Sequence, residues 1–152
     1  MIDQRLSELG ITLPPVFPPV ANYLGCVVDD GIVYVGGHPP IDGGRFVCGK
    51  VGRDLSLEEG RHAARLTGLS ILATLRAELG DLDRVARIVK VFGMVNVAPG
   101  FNQTPAVIDG CSDLLVDVYG DAGRHTRSAV GLAELPFDIA VEIELIARLR
   151  PD

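Results

Sequence analysis

Hydrophobic and polar positions along the chain divide it into strand-like and helix-like stretches. From Tyr23 to Gly37, two runs rich in Val, Ile and Tyr flank Asp29-Asp30-Gly31, residues that tolerate the positive φ angles of a tight hairpin turn. Gly43-Gly44 marks a further turn, and Arg45 to Lys50 reads as a short third strand. The spacing then changes to the helical period. Ser56 and Glu59 form a capping-box pair at the start of a helix over 57–79, whose leucines and alanines make a wide apolar band ending at Gly80. Val85 to Val97 reads as a long strand. A second helix begins near Thr104-Pro105 and ends at Gly120, with Val107, Cys111, Leu114, Leu115 and Val118 on one side and Asp109, Asp113 and Asp117 on the other. The order β-β-(β)-α-β-α-β-β predicts an α+β fold with one mixed sheet and two helices packed on one face. The prolines of 14–19 read as an extended arm, which divides the chain into an arm over 1–19 and one domain over 20–152.

The last two apolar runs, Arg127 to Leu135 and Ile139 to Leu149, are joined by Pro136-Phe137-Asp138 and read as a hairpin. In regular antiparallel register Gly131 stands opposite Glu142, and Arg127 opposite Ile146. One face then carries Val130, Leu132, Ile139, Val141, Ile143 and Leu145 under the helices. The other carries Arg127, Ala129, Gly131, Ala133, Ala140, Glu142, Glu144 and Ile146. Small residues around one arginine and two carboxylates predict a close approach by another subunit or a ligand.

Composition narrows the function classes. A length of 152 residues with 47% hydrophobic content suits one domain with its own core. The formal net charge of −6 argues against nucleic acid and anionic membranes as partners. The 3 cysteines, Cys26, Cys48 and Cys111, have unrelated spacings, which points to a reducing compartment such as the cytoplasm. Met1 to Leu13 carries Asp3, Arg5 and Glu8 and does not read as a signal peptide, and no apolar run approaches a membrane span. No two histidines have metal-ligand spacing, so a metal site is not expected, and no cofactor is expected either.

Thr126-Arg127-Ser128-Ala129-Val130, then Leu135-Pro136, then Val141 to Ala147 resemble the C-terminal signature of the Rid (YjgF-like) family. Tyr23 and Gly37-His38-Pro39-Pro40 fall where that family has a tyrosine and a Gly-Gln-Ile-Pro-like stretch. Only the segment before about Val20 lacks a clear counterpart. The resemblance implies a chorismate-mutase-like homotrimer with clefts between subunits that hydrolyse small 2-imino and 2-enamino acids to a 2-oxo acid and ammonia. Arg127 would hold the substrate carboxylate through its planar fork. Glu142 would position or activate the attacking water, while Tyr23, Gly37, His38 and Ala129 would line the cleft. The chain departs from the pattern at Ala129, where the deaminases carry a cysteine, at Gly36, at His38, and over Val97 to Phe101. Two other functions follow from the same resemblance: a carboxylate-binding module without turnover, and an endoribonuclease, which the negative charge opposes.

Each candidate residue also has a structural reading. Arg127 would close an ion pair with Glu142 or Glu144. Glu142 would be a solvated or paired strand glutamate, and Tyr23 an ordinary strand tyrosine. His38 would be either a proton shuttle or a hydrogen-bonding loop residue. His62 and His125 read as structural or exposed, and Cys111 as core.

Overall fold

A computed structural model describes residues 1–151 of the chain. In chain order the elements are α1 (Ile2–Glu8), β1 (Cys26–Asp29), β2 (Ile32–His38), β3 (Ile41–Asp42), β4 (Arg45–Phe46), α2 (Leu57–Leu79), β5 (Val85–Asn96), α3 (Thr104–Tyr119), β6 (Thr126–Leu132) and β7 (Val141–Leu149). The turn between β1 and β2 forms as the sequence predicts, with Asp30 and Gly31 at positive φ. At the start of α2, Ser56 accepts from the Glu59 amide at 3.1 Å and Glu59 accepts from the Ser56 amide at 2.7 Å, a complete capping box. The short strand at 45–46 pairs only with β3, in a two-stranded ribbon apart from the main sheet.

The main sheet has five strands in the order β1-β2-β7-β5-β6, with β5 and β6 parallel and every other pair antiparallel. Helices α2 and α3 cover one face. Their leucines and Ile71 meet Val33, Ile88, Val91, Val95, Ile143 and Leu145, all essentially without solvent exposure. The two helices pack closely because glycine lies at their crossing: a Cβ on Gly110 would come within 2.0 Å of the Arg61 carbonyl oxygen. Helix α1 adds Leu6 to the same core. The opposite face carries Tyr34, Lys90, Phe92, Met94, Glu142, Glu144 and Ile146, and no element among the described residues covers it.

The hairpin expected from Arg127 to Leu149 does not form, because β5 lies between its two strands. The chain leaves β5, crosses over through α3, and returns as β6 parallel to β5, the usual outcome when a helix joins two strands of one sheet. Strand β7 then pairs with the other edge of β5 and becomes central. The faces of β7 are as the sequence predicts, whereas those of β6 are reversed. Arg127 pairs with Val91, Ala129 with Gly93 and Gly131 with Val95, which puts Arg127, Ala129 and Gly131 on the helix side. Val130 faces away from the helices at 39% exposure. The small residues of β5 and β6 are met closely by α3 at Gly93 and by Val97, just beyond β5, at Gly131. A Cβ on Gly93 would meet Ile108 at 2.6 Å, and one on Gly131 would meet Val97 at 2.9 Å and Thr104 at 3.5 Å.

Candidate functional site

Strand β6 is an edge strand, and the crossover lays α3 along it, so Arg127 emerges at the margin of the sheet against the polar side of α3. Its Nη1 donates to Asp109 Oδ1 at 2.7 Å and to Ser112 Oγ at 3.1 Å. The ion-pair partner is therefore Asp109, and neither Glu142 nor Glu144, which lie on the opposite face. The Nε and Nη2 atoms of Arg127 bond to no described residue, which leaves one edge of the guanidinium for an incoming carboxylate. The acidic side of α3 is used in the same way elsewhere, since Arg61 of α2 reaches Asp113 at 2.6 Å.

His125, two residues before Arg127, completes the cluster. Its Nδ1 lies 2.6 Å from the Gly123 carbonyl oxygen and its Nε2 lies 2.9 Å from Ser112 Oγ. A carbonyl only accepts, so Nδ1 carries the proton. In the neutral ring Nε2 is then an acceptor, and the Ser112 hydroxyl donates to it. Burial lowers the His125 pKa from its ordinary 6.5 and the nearby Arg127 charge adds to this, while the hydrogen bond to Gly123 opposes them. The neutral form follows at pH 7. Asp109, Ser112, His125 and Arg127 line a hollow of about 260 Å³.

The other residues singled out by the resemblance lie elsewhere in the chain. Glu142 stands on the open face over Gly37, where a Cβ would meet Glu142 Oε1 at 2.2 Å. Burial and the neighbouring Glu144 raise the Glu142 pKa above the usual 4.5. Tyr23 lies before β1, 53% exposed, at the sheet edge opposite β6. Ala129 is half-buried, and its carbonyl accepts from Thr104 Oγ1 at 3.0 Å. His38 is buried on the helix side, with Nδ1 2.7 Å from the Gly36 carbonyl oxygen and Nε2 2.8 Å from Thr74 Oγ1. Both ring nitrogens are thus occupied within the core. Gly37 and Glu142 meet, whereas Arg127 and Tyr23 lie towards opposite edges of the sheet.

The sequence does not single out Ser112 or Asp109 as site residues, and it reads His125 as structural or exposed. The available signal was the i, i+3 spacing of Asp109 and Ser112 on one side of α3, together with the i, i+2 spacing of His125 and Arg127. Among the described residues, no group of three or more His, Cys, Asp or Glu side chains is placed to hold a metal ion. No helix among them is long and apolar enough to cross a membrane.

One mixed sheet, helices on a single face and polar side chains collected at an edge strand define the chorismate-mutase-like class of small α+β proteins. The chain belongs to the YjgF-like family: residues 3–149 match the family described as "YjgF/chorismate_mutase-like, putative endoribonuclease". This match includes most of the segment before Val20. Protein TCP17 of Trypanosoma cruzi is 42% identical over 150 residues, covering 97% of this chain and 94% of that protein. The crystal structure of Atu1372 from Agrobacterium tumefaciens, a protein of unknown function, is 41% identical with a TM-score of 0.91, covering 98% of this chain and 92% of that one. A structure described as a putative endoribonuclease from Shewanella oneidensis is 31% identical with a TM-score of 0.94, covering 98% and 99% of the two chains.

Proposed function

We propose that the chain assembles as a homotrimer whose clefts between subunits hydrolyse small 2-imino or 2-enamino acids to a 2-oxo acid and ammonia. The observation that carries this reading is the position of Glu142: a half-buried carboxyl with a raised pKa, fitted over a bare glycine on an uncovered sheet face. Carboxylates held in this way are suited to proton transfer near neutral pH. Arg127 and Ala129 of one subunit's β6 edge meet Tyr23, Gly37 and Glu142 of the next, with Arg127 holding the substrate carboxylate and Glu142 positioning the water. His38 supports the Gly36-Gly37 backbone from behind. The uncovered face supports assembly, since Leu24, Val27, Tyr34, Phe92 and Ile146 line a groove of about 580 Å³ there. We assign residues 20–152 to the working domain and residues 1–19 to an arm whose helix α1 docks Leu6 into the same core. The cytoplasm is the compartment we assign, supported by three free cysteines.

The test is 2-oxo acid release from enzymatically generated 2-aminoacrylate and bulkier imines. The wild type should accelerate release over buffer, and Arg127→Ala and Glu142→Ala should remove that acceleration. Binding of a 2-oxo acid without acceleration would establish a carboxylate-binding module. A second reading, RNA cleavage, takes support from Arg87, Arg124 and Arg148, which line a hollow of about 650 Å³ beside His125. RNA cleavage that survives in Arg127→Ala and is lost in Arg148→Ala would favour it.

A further inference from the structure

We infer that Ser112 and His125 form the proton relay of the Arg127 site, taking a proton from the attacking water and returning it to the departing ammonia. This rests on the reading above: Glu142 orients the attacking water, and Ser112 and His125, on α3 and its following loop, carry the proton that the water gives up. Four observations carry it. The Gly123 carbonyl fixes the His125 tautomer, so Nε2 points a lone pair at Ser112. The Ser112 hydroxyl therefore gives its hydrogen to His125 and receives one from Arg127 Nη1, which aligns it for proton transfer to Nε2. The three side chains converge on one hollow and are only half-buried, so substrate and water can reach them. Finally, Nε and Nη2 of Arg127 bond to no described residue, so a carboxylate can bind the same guanidinium whose Nη1 holds Ser112.

The chemistry balances with water alone. Water adds to the imine carbon, forming a C–O bond as the C=N π pair moves to nitrogen and becomes a lone pair. The water proton passes to Ser112 Oγ while the hydroxyl proton of Ser112 moves to His125 Nε2, and the nitrogen, protonated in the reactive iminium form, becomes an amine. In the collapse of the carbinolamine, His125 returns its proton through Ser112 to the amine nitrogen. The C–N bond breaks with its electron pair on ammonia, and the carbinol oxygen passes its proton to that ammonia, giving the 2-oxo acid and an ammonium ion.

The charged groups around His125 favour its neutral, accepting state. Arg127 faces it from β6, Arg124 from its own loop, Arg87 from β5 and Arg148 from β7, against Asp109 on α3 and Asp121, which pairs with Arg124 at 3.2 Å. The wild-type rate should therefore fall on acidification only as pH drops below the ordinary histidine range.

The deciding experiment measures kcat and KM for 2-oxo acid release from pH 5 to 8, with pyruvate affinity by calorimetry, in wild type, Ser112→Ala, Ser112→Thr and His125→Gln. His125→Gln is expected to lower kcat about 10²-fold and to abolish the acid limb, with KM and pyruvate affinity unchanged. Ser112→Ala should lower kcat similarly, and Ser112→Thr, which keeps the hydroxyl, should recover most of it. Should His125→Gln not fold, the two Ser112 variants decide. Wild-type kcat and an unshifted profile in both Ser112→Ala and His125→Gln would overturn the relay while leaving the deaminase reading intact. Loss of pyruvate affinity in step with kcat would show a purely structural role. A wild type that accelerates no imine removes the reaction and the relay together, a signature distinct from either.

Discussion

Replacing Gly37 by alanine separates the position of Glu142 from the stability of the fold. The new Cβ would lie 2.2 Å from Glu142 Oε1, 2.9 Å from Cδ and 3.1 Å from Cγ, where ordinary contact begins near 3.4 Å. The carboxyl must therefore retreat by about 1 Å. It ends a flexible side chain on an uncovered face, and the backbone of Gly37 lies outside the positive-φ region, so stability should change by no more than about 1 kcal/mol. The rate is more sensitive: a displacement of about 1 Å in a positioning group costs on the order of 10²-fold. Gly37→Ala should thus leave the urea midpoint nearly unchanged and lower kcat for 2-oxo acid release about 10²-fold. In the Glu142→Ala background the same change should add almost nothing, since its target is gone. A Gly37→Ala protein with wild-type kcat and a wild-type midpoint would refute the placement of Glu142 in the chemistry.

Gly110→Ala should behave in the opposite way. Its Cβ would strike the Arg61 carbonyl 2.0 Å away, backbone that cannot swing aside, so the α2–α3 contact should lose about 2–3 kcal/mol, read as a lowered urea midpoint. His38 predicts a pH dependence of stability. Burial lowers its folded pKa below 6.5 against the opposing Gly36 hydrogen bond, so only the unfolded chain gains a proton as pH first falls below 6.5. Its contribution is complete above that pH and is lost on acidification through the folded pKa. His38→Gln should flatten the fall in stability between pH 7 and 5 without removing it, because His125 shifts in the same direction. Ile146→Asp, placing a charge in the open-face groove, should convert the proposed trimer to monomers in sedimentation velocity; a trimer in both wild type and variant would show that assembly uses another surface.

Local order was legible in the sequence wherever one residue answers a nearby backbone need. Ser56 and Glu59 cap α2, Asp30 and Gly31 adopt the positive φ of the first turn, and Gly80 and Gly120 end the long helices. The alternation of β7 gave its buried face correctly, because period-two burial is a property of the strand itself. The C-terminal motif likewise pointed to the family that residues 3–149 match. Strand order is a different kind of fact. Nothing within 126–149 records that β5 will lie between the two final strands, because that pairing depends on residues more than thirty positions earlier in the chain. A single intervening strand turned Arg127 and its small neighbours towards α3, away from Glu142. Tertiary structure alone brought Asp109, Ser112 and His125 around that arginine, since a side chain's partners depend on the path of the backbone and its face only on its own period.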